Sequence, residues 1–283
     1  MSQSGGAGNS APQKAPIKSG SGSGGPSPWG WLSCEETIDQ PHGYVFLCST
    51  AADQVQPAQM ITGYGRFNHE AAVVDPLSHI CYLKEDRDDG CFYRFQPHHP
   101  STPFVGELQA LKISAFDGYN THQLTKGRKF AATWVTVDDP APFEDNTRFQ
   151  AQDKGAAIFV RGEGLWVHDG QAYFSCTTGG PIGKGQIFRY RPQGLDHGEI
   201  EVVAHSDDTY FLENPDNLTV TPWGDLYLVE DNPGVNCIRA LKPSGELIYF
   251  GKNILSSSEL AGVCFSPRGD TMFLNIQHDG LTI

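Results

Sequence analysis

Long apolar runs are missing from this sequence. No stretch approaches the roughly 20 residues of a transmembrane helix, which argues against membrane insertion. Positive charge is scarce. Lys and Arg number 20 against 33 Asp and Glu, a net charge of -13, so no basic face is available to neutralise phosphates, and nucleic acid or an anionic membrane is excluded as a partner. The same charge repels a phosphorylated substrate unless metals or local arginines reverse the field. Cysteine lacks pattern: seven residues, at 34, 48, 81, 91, 176, 237 and 264, are odd in number and contain no CxxC pair. That spacing fits neither a zinc site nor a disulfide scaffold. Also absent are a Gly-x-Ser-x-Gly elbow, a Walker loop and an HExxH helix, which disfavours ordinary serine-hydrolase, nucleotide-binding and zincin chemistry. Met1 to Gly25 has little to bury, no apolar signal region and no paired arginines. It reads as a disordered Gly/Ser-rich tail without an export address, with the folded domain expected over residues 26–283.

What is abundant is turn chemistry. With 32 Gly and 19 Pro, beside 39% hydrophobic and 11% aromatic residues, the chain reads as all-β with a real core. Gly65 to Phe95 shows the unit: Ala71–Val74, the turn Asp75-Pro76-Leu77-Ser78, then Ile80–Leu83, a hairpin with Glu70 entering and Glu85 leaving. The free ends of such a hairpin lie side by side, so these two carboxylates, about fifteen residues apart, meet in space and call for a cation. LWVHDGQAYFSCT at Leu165, LTVTPWGDLYLVED at Leu218 and VCFSPRGDTMFLNI at Val263 repeat the pattern. The last three units fall about 54 and then 45 residues apart, and the gap of about 93 back to the first is two such steps; that period is the mark of a β-propeller, here of five to six blades and possibly incomplete. A generic antiparallel sandwich is the plainer alternative.

Acids recur at one place in the repeat. Glu35-Glu36 follows WLSC, Glu85-Asp86 follows CYLK and Glu230-Asp231 follows LYLV. In a radial array such positions converge near the axis. The candidate metal ligands are Cys34, Glu35, Glu70, Glu85, Glu163, Asp216, Asn217, Glu230 and Glu259. Carboxylates suit calcium, whereas a thiolate among them favours a transition metal such as iron. Any one of these acids, alone, is also readable as a solvated strand end or turn cap. Arg161, two residues before Glu163, shares a strand face with it and offers a bidentate fork to phosphate, or else makes a structural ion pair.

Taken in order, PWGWLSCEE at Pro28, GRFNHEAAVVDP at Gly65, YLKEDRDDGCFYRF at Tyr82, RGEGLWV at Arg161, TTGGPIGKGQIFRYRP at Thr177, NPDNLTVTPWGDLYLVED at Asn214 and ELAGVCFSPRGDTMFLNIQ at Glu259 resemble the PhoX family of bacterial alkaline phosphatases. The resemblance implies a six-bladed propeller with axial iron and calcium, hydrolysing phosphate monoesters, in the periplasm or outside the cell. It also implies Cys34 as the iron thiolate, Glu70, Glu85 and Glu163 as metal carboxylates, and Arg161 as the phosphate-binding arginine. Here a Gly/Ser tract stands where relatives carry further strands, and the chain stops at Ile283 just after the Leu260–Ile276 hairpin. Missing strands would leave open blade edges, through which self-association is expected. Two other functions compete: a calcium-dependent lactonase or esterase, which needs no thiolate, and a non-catalytic shortened propeller used as an interaction platform.

Overall fold

The computed structural model describes residues 24–51 and 53–283, so most of the tail expected to be disordered lies outside the described residues. The first strand, β1 (Gly25–Ser27), pairs with β2 (Gly30–Cys34), followed by β3 (Val45–Cys48) and β4 (Gln59–Ile61). These four make the first antiparallel blade. The second is β5 (His69–Val74), β6 (Cys81–Glu85), β7 (Phe92–Pro97) and β8 (Gly106–Ile113), with β9 (Lys129–Thr136) added outside β8. A seven-residue helix, α1 (Thr147–Asp153), leads into the third blade, β10 (Gly162–His168), β11 (Gln171–Cys176), β12 (Gln186–Pro192) and β13 (His197–His205). The fourth holds β14 (Pro215–Val220), β15 (Leu226–Glu230), β16 (Cys237–Leu241) and β17 (Leu247–Lys252). The fifth holds β18 (Leu260–Phe265), β19 (Met272–Ile276) and β20 (Leu281–Thr282).

All four hairpins read from the sequence are the first two strands of a blade. The Asp75 turn shows why: its carboxylate accepts from the backbone of Leu77 and Ser78, each at 3.2 Å, closing the link between Val74 and its partner Cys81. Two features were not expected. β9 pairs with β8 on one side and β13 on the other, joining the second and third blades into one nine-stranded sheet. The last hairpin also has a third strand, with Thr282 opposite Asn275 and Leu281 opposite Ile276.

Apolar cores between successive blades make the array radial. Leu32 and Val45 pack with Val74, Leu83 and Phe95 between the first two blades. Phe92, Phe174 and Phe188 fill the space between the second and third, with Phe92 and Phe174 stacked at 4.3 Å. Leu218 and Leu228 meet Ile187, and Val229 meets Val263 and Leu274, between the later blades. Strands with a core on each side are buried throughout, as β5, β6, β15 and β16 are, so their sequences read as continuous apolar runs rather than alternation. The protein is a β-propeller of five blades over the described residues, with the first strand of each nearest the axis.

Candidate metal centre

Four of the five inner strands are irregular near their start, while β1 pairs regularly with β2. The pairing register shifts between His69 and Ala71, between Gly162 and Leu165, between Pro215 and Leu218, and between Ala261 and Cys264. Such bulges bend a strand and re-aim a side chain. The residues inside them include Glu70, Glu163, Asp216 and Asn217. At Gly164 the inner strands of the third and fourth blades nearly touch: a Cβ there would lie 2.6 Å from the Asp216 carbonyl oxygen and 2.7 Å from the Leu218 nitrogen. Glycine is what lets Glu163 and Asp216 approach.

The result is an axial cavity of about 170 Å³ whose wall includes Glu36, Glu70, Asp86, Glu163, Asp216, Asp231 and Glu259, with Arg161, Asn217 and Thr177. Seven carboxylates face one guanidinium. One oxygen each from Glu70, Glu163 and Asp216 lies within 4.8 Å of the others. Burial, and then the neighbouring Asp216 and Asp86, hold the Glu163 carboxyl well above its ordinary range. Asp216 is pushed up to about 8 by burial and by Glu259 and Asp231, and Glu259 to about 7 by burial and Asp231. Burial, then Asp86, raises Glu36, and burial raises Asp86 against the pull of Arg161. A set of oxygens that resists ionisation this strongly fits a hard cation, whose charge removes the mutual repulsion.

Arg161 stands at the edge of the cavity with 39% of its side chain exposed. Its Nε lies 2.6 Å from Asp86 and its Nη2 3.0 Å from Glu163. Burial works against its charge, but these carboxylates outweigh it and raise its pKa. Its backbone is left-handed, with φ at 49°, a conformation non-glycine residues seldom adopt. Hydrogen bonds hold it there, from its own N–H to the Arg87 carbonyl at 2.8 Å and from the Thr177 N–H to its carbonyl at 2.9 Å. Asn214, just before β14, shares the conformation with φ at 47°. Asn217 Oδ1 accepts from the Gly262 N–H at 2.6 Å, tying the fourth blade to the fifth.

The structure separates each acid pair of the repeat. Glu36, Asp86 and Asp231 line the cavity, whereas Glu35, Glu85 and Glu230 do not. The first acid of each pair instead clamps the loop before the third strand of its own blade. Glu35 accepts from the N–H groups of Gly43 and Tyr44 at 2.9 and 3.1 Å. Glu85 accepts from the Tyr93 hydroxyl at 2.9 Å and the Cys91 N–H at 3.3 Å. Glu230 accepts from the Cys237 N–H at 3.2 Å and the Arg239 Nε at 2.9 Å. The reason is the two-residue period of a strand, which sends adjacent side chains to opposite sides. Sequence reasoning noticed the pairs but chose the wrong member for the cavity; applying that period to the strand ends would have found Glu36, Asp86 and Asp231.

Cys34 ends β2, almost wholly buried and outside the cavity wall. Burial, then Glu70 and Cys81, push its thiol well above the ordinary value, so the thiol lies in the field of the acid cluster without belonging to the close oxygen set. His69 is a packing residue, stacked on Phe67 at 3.6 Å with Nε2 3.1 Å from the Gly65 carbonyl. Arg87 pairs with Asp145 at 3.1 Å, away from the cavity.

A family model described as "Alkaline phosphatase PhoX" matches residues 21–280. Among solved structures, the chain is similar to a gluconolactonase from Xanthomonas campestris, at 13% identity over 87% of this chain and 65% of that one, with a TM-score of 0.49. It is similar to a chain of a nidogen/laminin complex at 11% identity over 77% and 57%, with a TM-score of 0.41. It is also similar to streptogramin B lyase at 11% identity over 91% of each chain, with a TM-score of 0.38. The chain thus spans less than two thirds of the length of the first two. A search of curated proteins finds none that matches.

Proposed function

Because the chain belongs to the PhoX alkaline phosphatase family, we propose that it hydrolyses small phosphate monoesters at the axial cavity, with calcium and iron as its metals. The observation that carries this reading is the cavity's charge: seven carboxylates around one guanidinium cannot bind a phosphate dianion without cations. Glu70, Glu163 and Asp216 would hold calcium, with Asn217, Asp231 and Glu259 as further oxygen donors. The family resemblance adds iron, for which Cys34 is the thiolate candidate behind Glu70. When bound, the metals would supply positive charge to the phosphoryl oxygens and a nucleophilic oxygen at neutral pH.

The chain's own residues do the rest. Arg161 donates Nη2 to Glu163 and holds Nε in charge contact with Asp86, which restrains its fork and leaves Nη1 to donate to a phosphoryl oxygen. Its charge offsets the negative charge spread over the equatorial oxygens in the transition state. The clamped loops beneath Glu35, Glu85 and Glu230 keep the neighbouring acids in place. Hydrolysis adds water across the P–O bond and releases an alcohol and inorganic phosphate. We place this activity, with the family resemblance, in the periplasm or outside the cell; among the described residues no helix is long and apolar enough to cross a membrane.

The test is p-nitrophenyl phosphate hydrolysis by purified protein, with and without a chelator, together with elemental analysis. Chelator-sensitive hydrolysis with calcium and iron bound is the expected result. Hydrolysis of a lactone with the phosphoester untouched assigns the cavity to the lactonase reading, and metal binding without either activity assigns it to an interaction platform. Cys34→Ser should lower iron content far more than Cys48→Ser; equal losses would make Cys34 structural.

A further inference from the structure

Lys84 plays no part in the proposed chemistry, yet its position is unusual. It is wholly buried in β6, and its Nζ has no hydrogen-bond partner among the described residues. Three phenylalanine rings surround it, with centroids 4.5 Å (Phe174), 5.2 Å (Phe159) and 5.9 Å (Phe92) from the nitrogen. On its remaining side is Gly162, where an added Cβ would lie 2.0 Å from Lys84 Cε and 2.3 Å from Nζ. The amino group therefore fills the space that a side chain at 162 would take, directly behind the start of β10, which carries Glu163 and follows Arg161.

Packing alone does not account for a lysine here. An unpaired ammonium among hydrocarbon groups is costly to bury, and the ring faces recover only part of the loss. Methionine would fill the same volume at no such cost. Burial pulls its pKa below the ordinary value, and the groups that support its charge are Cys176 and Cys91, then Glu85 next in sequence and, from the cavity wall, Glu163 across Gly162.

We propose that Lys84 is a fixed counter-charge behind the wall of the acidic cavity, a positioning residue that moderates its hold on divalent cations and strengthens its attraction for the phosphoryl anion. The proposal rests on the metal-phosphatase reading. Seven carboxylates with Arg161 alone favour cations and repel phosphate; a second cation shielded from solvent shifts that balance, because salt screens it far less than a surface charge.

The experiment uses the full chain, stripped of metal, and the neutral variants Lys84→Met and Lys84→Gln. Calorimetric titration with calcium, and then with inorganic phosphate on the calcium-loaded protein, reads the two affinities without using turnover. Both variants should bind calcium about tenfold more tightly and phosphate more weakly by a similar factor, as removal of one nearby positive charge requires. A prop for the Arg161–Glu163 strand would instead weaken both affinities together, and that result overturns the proposal. Unchanged constants show that the amine carries no charge felt in the cavity, and failure of both variants to fold gives Lys84 to packing; each overturns it as well. Wild-type protein that binds calcium but not phosphate sinks the phosphatase reading and leaves the calcium shift as the test of Lys84. Wild-type protein that takes up no calcium removes the cation site and Lys84's role with it.

Discussion

The division of labour within each acid pair makes Glu85 and Asp86 a matched test. Removing the Glu85 carboxylate (Glu85→Ala) leaves the Tyr93 hydroxyl and the Cys91 N–H, both fully buried, without their acceptor. Each orphaned donor costs about 1–3 kcal/mol. Arg148 loses its 3.4 Å contact with Glu85 but keeps Asp89 and Asp145 at 2.8 Å each, so its charge is not stranded. Against this, burial pushes the Glu85 carboxyl up to about 7, and deleting it recovers that penalty. The balance is a loss of about 2–4 kcal/mol, or roughly 5–15 °C in Tm for a domain of this size. Asp86→Asn should behave oppositely. It removes one charge from a self-repelling cavity while Arg161 keeps Glu163 at 3.0 Å, so metal-free stability should move by less than about 1 kcal/mol and calcium affinity should fall about tenfold. Thermal melts in chelator and calcium calorimetry measure the two quantities. A protein that melts normally as Glu85→Ala but loses calcium, or one that collapses as Asp86→Asn, would refute the assignment of the two acids to opposite sides of the strand.

The same geometry sets three further expectations. The Asp216 carboxyl stands at about 8 against an ordinary 3.8, and Glu259 at about 7 against 4.5; since folded-state values above the unfolded ones favour the protonated fold, metal-free protein should lose stability as pH rises from about 4 to about 8. Calcium should restore more stability at pH 8 than at pH 5, and melts at fixed calcium that rise equally at both would show that the acids do not bind it. Arg161→Lys keeps a charge but loses the fork, and should weaken competitive inhibition by phosphate about tenfold with little change in Tm; an unchanged inhibition constant with a lowered Tm returns Arg161 to a structural ion pair. Gly164→Ala should force the third and fourth blades apart at Asp216 and Leu218, lowering Tm by several degrees and calcium affinity together, and a neutral outcome in calorimetry and melting would show that the close approach is not what sets the Glu163–Asp216 spacing.

How far the sequence could be read depended on which physical rule governed each residue. Hairpins were legible because turn chemistry is local: Asp75 and Ser78 write their own link, and Trp29-Gly30 and Trp223-Gly224 mark equivalent corners. β9 was not legible, because KFAATWVT joins two blades by pairing with β8 and with β13, far ahead in the chain, and nothing in its own residues states those partners. The acid pairs fall between these cases. Convergence on the axis followed from the repeat, but the choice between Glu85 and Asp86 depended on one residue of strand register, which flips a side chain to the other face. The bulges at Glu70, Glu163 and Asp216 lie where neighbouring blades approach closely, and glycines such as Gly164 and Gly25 are the traces of those approaches in the sequence. Lys84 is the hardest case. In CYLKED a lysine at a strand end reads as a solvated edge residue, and only the assembled blades show it enclosed by Phe92, Phe159 and Phe174, the last two supplied by segments distant in sequence. Local pattern specifies hairpins, repeat position specifies the axis, and the side of a strand on which a charge acts is decided by its neighbouring blade.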